Sequence, residues 1–171
     1  MLESKYPDQV CSVARALEVV GERWTLLIVR EALMGVRRFD DFRESLGLAR
    51  SVLTARLNHL VDEGVFERRQ YQSRPERYEY QLTAKGRQLG PVVVHLMHWG
   101  DSHYPSAGGA PRVALHRGCG GRVSATMNCA RCRQRVAYGS LELKPGPGLR
   151  AVSETRPATS GRRAVFRPPD P

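Results

Sequence analysis

Apolar residues recur every three or four positions in four consecutive blocks up to residue 63, and from Val65 that spacing gives way to two β-rich runs, Val65–Tyr71 and Tyr78–Leu82. That change of period constrains the fold more than any other feature. A period near 3.6 gathers apolar side chains on one helix face, whereas a period of two gathers them on one strand face. The first block, Gln9–Val20, carries Val10, Val13, Ala14, Leu17 and Val20 and ends at Gly21. Trp24–Leu33 is apolar on nearly every side, which predicts burial all round, and stops at Gly35. Arg38–Leu46 turns Phe39, Phe42 and Leu46 inward before Gly47, and Arg50–Glu63 stacks Leu53, Leu57 and Leu60 before Gly64. Val65–Tyr71 and Tyr78–Leu82 then read as a hairpin around Gln72–Arg77, with Pro75 in its loop. Thr83 is placed to cap a long helix over about Ala84–His103, striped by Leu89, Val92/Val93, Leu96 and Trp99/Gly100.

Helix, helix, short helix, helix, hairpin, long helix is the order of a winged helix-turn-helix, an α+β fold that is mainly α. The short third helix, the turn at Gly47 and the longer fourth helix form the two-helix motif, whose second member can lie in a DNA major groove. At 100° per residue, Leu57 and Leu60 fall within about 40° of Leu53. Ser51, Ala55, Asn58 and Asp62 fall near the opposite side, with Thr54 on a flank. Small side chains let a helix approach the groove closely, and Ser, Thr and Asn can meet base edges or phosphates. Arg50, Ser51, Thr54, Ala55, Arg56 and Asn58 are therefore the recognition candidates, with Arg38, Arg74 and Arg77 as phosphate or wing contacts. An ordinary solvated helix, with Ser51 an incidental cap, satisfies the same periodicity.

The distribution of charge limits what its total can mean. The 171 residues carry 27 Lys and Arg against 17 Asp and Glu, a net of +10. Residues 1–104 hold 15 against 14, residues 105–143 hold 6 against 1, and residues 144–171 hold 6 against 2. Nine of the ten net charges thus lie beyond residue 104, and a DNA-binding argument must rest on local placement. The composition divides the chain into a 1–104 winged helix-turn-helix domain, a 105–111 linker, a 112–143 zinc-ribbon-like segment, and a 144–171 tail. That tail is rich in Pro, Gly and Arg and is expected to be disordered. The longest apolar runs fall far short of the roughly 20 residues needed to cross a bilayer. No basic stretch feeding an apolar one is visible at the N-terminus, and four cysteines are too few for a secreted disulfide scaffold. The expectation is a cytoplasmic protein with no membrane partner.

Three of those cysteines form a pattern with one histidine. His116-x2-Cys119 and Cys129-x2-Cys132 are two half-sites separated by nine residues. A pair of ligands two residues apart can chelate one ion, and two such pairs make a tetrahedral Cys3His set suited to structural Zn2+. A segment of this length has too little core to fold unaided, which is where structural metal is recruited. Short alternating strands around the ligands are expected. A thioredoxin-type motif would need a βαβ context that is absent, and four protein ligands leave no position open for catalysis. The five surrounding arginines are either a solvated basic face or a second contact to nucleic acid. His95 and His98 lie three apart on the last helix with His103 beyond, but no further ligand joins them there. No Ser/His/Asp order, phosphate-binding glycine loop or paired-carboxylate site stands out, so no enzyme is expected.

The run from Cys11 to Trp99-Gly100 resembles the HxlR-type family of bacterial winged helix-turn-helix transcription regulators. The resemblance is carried by Cys11, Gly-Glu-Arg-Trp24-Thr-Leu-Leu-Ile, Arg38-Phe-Asp-Asp-Phe, Leu53-Thr-Ala-Arg-Leu, Leu60-Val-Asp-Glu-Gly-Val and Arg77-Tyr-Glu-Tyr-Gln-Leu-Thr. It covers about residues 9–101. It implies a sequence-specific regulator of double-stranded DNA, working as a homodimer whose first and last helices pack across a two-fold axis. It also implies that Cys11 is a sensor of oxidants or electrophiles, a role favoured in general by a position near a helix N-terminus. A free cysteine can equally be a small buried hydrophobe. The alternative function is a thiol or metal sensor, or a protein-interaction adaptor, on a winged-helix scaffold. The small-molecule effector, the operator and the sign of regulation are not legible.

Overall fold

The computed structural model describes Tyr6, residues 11–144, and residues 146 and 147. The expected disordered tail lies otherwise outside the described residues. Helices α1 (Ser12–Val20), α2 (Thr25–Leu33), α3 (Phe39–Leu46) and α4 (Arg50–Asp62) follow the four apolar blocks, each starting or ending within a residue or so of its pattern except at the N-terminus of α1. Strands β1 (Phe66–Ser73) and β2 (Glu76–Leu82) form the antiparallel hairpin, and α5 (Ala84–Arg87) and α6 (Gly90–His103) complete the winged domain.

The core collects one face from each element. Ile28 and Val29 of α2, Phe42 of α3, Leu53, Leu57 and Leu60 of α4, and Val65 and Phe66 are essentially inaccessible to solvent. Tyr80 of β2 and Val93 of α6 close the cluster. The Phe42 and Phe66 rings meet edge to face at 6.3 Å, an arrangement their quadrupoles favour. Each buried Leu, Ile or Phe contributes roughly 1.5–3 kcal/mol relative to exposure. The all-round burial expected of α2 is incomplete: Leu33 is exposed, and Leu26 and Leu27 are only partly buried. Thr25 and Glu31 are buried, and the Arg30 Nε donates to the Glu31 carboxylate at 3.0 Å.

The turn of the two-helix motif needs its glycine. Gly47 caps α3 in the left-handed region at φ 63°, and its N–H donates to the Arg43 carbonyl. Buried Leu48 then pins the turn to the core before α4 begins at Arg50.

Three expectations are corrected. The single helix over 84–103 is two helices, because Pro91 has no N–H to bond back to Arg87 and its ring clashes there. The hairpin is longer than expected: pairing runs to Ser73 and Glu76, leaving only Arg74 and Pro75 at the turn, with an irregularity between Gln70 and Gln72. Around the cysteines the short strands reduce to isolated bridges, Leu115 with Arg122 and Asn128 with Arg135. The α6 stripe also divides. Leu89, Val93 and Met97, four apart, pack on the core, whereas Val92, Leu96 and Trp99 are 45%, 49% and 56% exposed.

Candidate nucleic-acid interface and Cys/His segment

The recognition candidates divide by angle around α4. With Leu53, Leu57 and Leu60 fully buried, Ser51, Thr54, Ala55 and Asn58 are all exposed on the side away from the core. Arg50 is exposed at the first turn, its guanidinium 5.1 Å from the centre of the Phe39 ring and 3.6 Å from Asp40. Arg56 stands apart: it is half-buried on the core flank, 3.9 Å from Glu22. The outward face is thus small and hydrogen-bonding, with one arginine at its N-terminal edge.

Arg38 precedes α3 and lies beside the hairpin. The Tyr80 N–H donates to the Arg37 carbonyl at 2.8 Å, and Arg38 bridges Glu79, so this segment lies along β2 like a short third strand. The Arg38 guanidinium sits 4.9 Å over the Tyr71 ring of β1. These contacts fix the wing relative to the two-helix motif. At the tip, Arg74 and Arg77 are exposed, and Arg68 stacks on Tyr78 at 3.9 Å. Among the described residues none of Arg38, Arg68, Arg74 and Arg77 lies within 4.0 Å of a carboxylate, unlike Arg69, which pairs with Glu67 at 2.6 Å. Tyr71, Tyr78 and Arg68 were not singled out in the sequence, because their partners appear only once the hairpin register is known.

The root of the wing depends on Thr83 and Gly86. The Thr83 hydroxyl donates to the Gly64 carbonyl at 2.7 Å and accepts from the Gly86 N–H at 3.1 Å, capping α5. A Cβ on Gly86 would meet the Val65 carbonyl oxygen at 2.2 Å.

The cysteines fall into separate places. Cys11 is exposed at the N-cap of α1, its carbonyl accepting from the Arg15 N–H at 3.1 Å. His116 and Cys119 are together, with 3.3 Å between Nδ1 and Sγ. Cys129 and Cys132 are likewise together. The backbone N–H groups of Cys132 and Arg131 point at the Cys129 sulfur, and with the Cys132 thiol they hold the Cys129 thiol below its ordinary value. All four cysteines are free, and among the described residues no three His, Cys, Asp or Glu side chains converge as a metal cluster. Each half-site is therefore formed, but the two halves are not joined. His95 hydrogen-bonds the Pro91 carbonyl of its own helix, and His98 reaches the Val123 carbonyl at 3.1 Å.

A hairpin anchored behind a helix-turn-helix, with unpaired arginines at its tip, defines a winged helix-turn-helix domain. Residues 19–107 match the HxlR-like helix-turn-helix family, and the chain belongs to that family. It is 46% identical over 140 residues to Rv3095 of Mycobacterium tuberculosis (strain ATCC 25618 / H37Rv), an uncharacterized HTH-type transcriptional regulator, covering 82% of this chain and 89% of the relative. It is 33% identical over 94 residues to the regulator YdeP of Bacillus subtilis (strain 168), covering 54% and 73%. Among solved structures, PA1607, described as a transcription factor, is similar with a TM-score of 0.71 and 34% identity over 81% of this chain and 97% of that one. The redox regulator HypR in its reduced form is similar with a TM-score of 0.51 and 32% identity over 54% and 92%. These relatives are named as regulators, not enzymes.

Proposed function

We propose that this chain is a sequence-specific, double-stranded-DNA-binding transcriptional regulator that acts in the cytoplasm as a homodimer. The observation that carries the reading is the outward face of α4. Ser51, Thr54, Ala55 and Asn58 stand clear of the core there, with Arg50 at its N-terminal edge, while Arg38 lies beside the hairpin and Arg74 and Arg77 at the wing tip. Base contacts by such a face specify sequence, while arginines on phosphates position it. Arg56, turned toward Glu22, supports the helix from its flank in this reading.

The homodimer rests on apolar surface that the monomer leaves uncovered. Val13 and Leu17 of α1 are 65% and 43% exposed, and Val92, Leu96 and Trp99 of α6 add to them. Two-fold packing of these helices would present two copies of α4 to a pseudo-palindromic site with half-sites about one helical turn apart. Selection from randomised duplexes tests both parts. The expected winner is a two-fold symmetric sequence bound by two chains, and enrichment of no sequence would overturn the reading.

Cys11 is proposed as the point at which oxidants or electrophiles act. Its exposure supports this, as does the similarity to HypR, a redox regulator whose structure exists in reduced and oxidized forms. Oxidant should lower specific DNA binding of the unchanged chain and leave Cys11→Ser unaffected. Residues 112–143 are read as a zinc-ribbon-like appendage to this regulator.

A further inference from the structure

The appendage is one structural unit used twice, at an offset of thirteen residues. The His116 N–H donates to the Gly121 carbonyl at 2.8 Å, and the Cys129 N–H donates to the Gln134 carbonyl at 3.0 Å. The Gly120 N–H returns to the His116 carbonyl, and the Arg133 N–H to the Cys129 carbonyl, both at 2.8 Å. Val123 donates to Ala114 as Val136 donates to Met127, again at 2.8 Å in both. The isolated bridges Leu115–Arg122 and Asn128–Arg135 obey the same offset.

The residue after the second ligand position is left-handed in both units, Gly120 at φ 72° and Arg133 at φ 59°. For glycine that conformation is unstrained. For arginine it is strained, and Arg133 is the only non-glycine residue with positive φ among the described residues. Ordinary packing does not account for it, since no residue from 105 to 144 whose burial is described is buried. What the two turns share is that each brings its first and fourth side chains to one side. Those side chains are His116 and Cys119 in one unit, Cys129 and Cys132 in the other.

The units differ in how they meet the winged domain. The first is docked: the Val123 carbonyl meets His98 of α6, and Pro111–Leu115 line an open groove with Leu33 of α2, Met34 at its C-cap, and Val93 and Met97 of α6. No described hydrogen bond or ion pair ties the second unit to the helical body.

We propose that a single Zn2+ ion, held by His116, Cys119, Cys129 and Cys132, joins the two units and thereby fixes the second one to α6 through the first. This rests on reading 112–143 as a zinc-ribbon-like appendage, and adds that the metal is what attaches its outer half. The donor set fits the ion: three sulfurs and one imidazole nitrogen, in two preformed pairs, suit tetrahedral zinc. The three thiols lose their protons to solvent on coordination, and the imidazole binds neutral. With four protein ligands the ion has no open position, so its role is structural.

The test titrates Co2+ into the metal-free full chain under reducing conditions. The expected result is one equivalent bound, with the intense thiolate-to-cobalt charge-transfer and tetrahedral ligand-field absorption, displaced by Zn2+. Cys119→Ser and Cys132→Ser should each reduce the charge-transfer intensity and weaken uptake, whereas Cys11→Ser should keep both. Hydrogen exchange across 124–137 should speed up when zinc is removed, with α4 unchanged. An octahedral cobalt spectrum, uptake unaltered in the Cys119→Ser/Cys129→Ser double variant, or exchange indifferent to zinc would overturn the proposal. DNA binding is measured on the same metal-free protein. The winged domain has its own core, so failure of the regulator reading shows there independently of the metal result.

Discussion

Asn58 and Arg74 are both exposed polar residues, yet the account gives them different work. Asn58 is exposed on the outward face of α4; if it reads a base as proposed, Asn58→Ala should cost about 1–3 kcal/mol on the specific site. On random DNA the variant should bind as the unchanged chain does, and equal loss on both would remove its reading role. Arg74, exposed at the wing tip, is proposed as a phosphate contact. Arg74→Ala should weaken binding to every sequence and reduce the salt dependence by about one unit of slope. Inside the core, Thr25 is fully buried with no hydrogen-bond partner for its hydroxyl among the described residues. Thr25→Val keeps the shape and removes the unsatisfied group, so urea unfolding should show neutral to about 1 kcal/mol greater stability. Leu57→Ala, at a position with no exposure, should instead lose about 2–5 kcal/mol. Leu53, Leu57 and Leu60 were legible as core because their spacing alone fixes the face. Gly86 was not, because the Val65 carbonyl that excludes a side chain there is twenty-one positions away in the chain.

Helices and hairpin were legible wherever local chemistry decides. Apolar spacing marked α1 to α4, and glycines marked their ends. The break between α5 and α6 had a local signal in Gly90-Pro91, but the continuing apolar run on both sides masked it. Which half of α6 faces inward was not decidable from periodicity, since Val92, Val93 and Val94 are equivalent until α2 takes its place beside them. The anchoring of the wing was also hidden. It depends on Arg38 over Tyr71 and on Tyr80 bonded to Arg37, contacts created by tertiary register. In the appendage the spacing of His116, Cys119, Cys129 and Cys132 showed two half-sites. The thirteen-residue repetition was invisible there, because backbone hydrogen bonds carry it. Only Cys119/Cys132, Arg122/Arg135 and Val123/Val136 coincide as residue types between the two ten-residue units.

The whole molecule joins a nearly neutral winged domain to a basic C-terminal part, so its net charge says little about how it meets DNA. In the proposed homodimer the exposed faces of α1 and α6 pack across the two-fold axis. Leu96→Asp should move the protein toward monomer in sedimentation and weaken binding to the two-fold site, leaving α4 itself intact. In the proposed dimer, Arg38, Arg74 and Arg77 from each chain would give about six phosphate contacts, which predicts a slope of log K against log salt of roughly −5. The most direct test measures binding to DNA from upstream of the chain's own gene and to random duplex, between about 50 and 200 mM salt. The account predicts a specific complex that survives the higher salt while the random one is lost. Equal binding to both DNAs across that range, with no site enriched by selection, would contradict the reading of α4 as a sequence-reading helix.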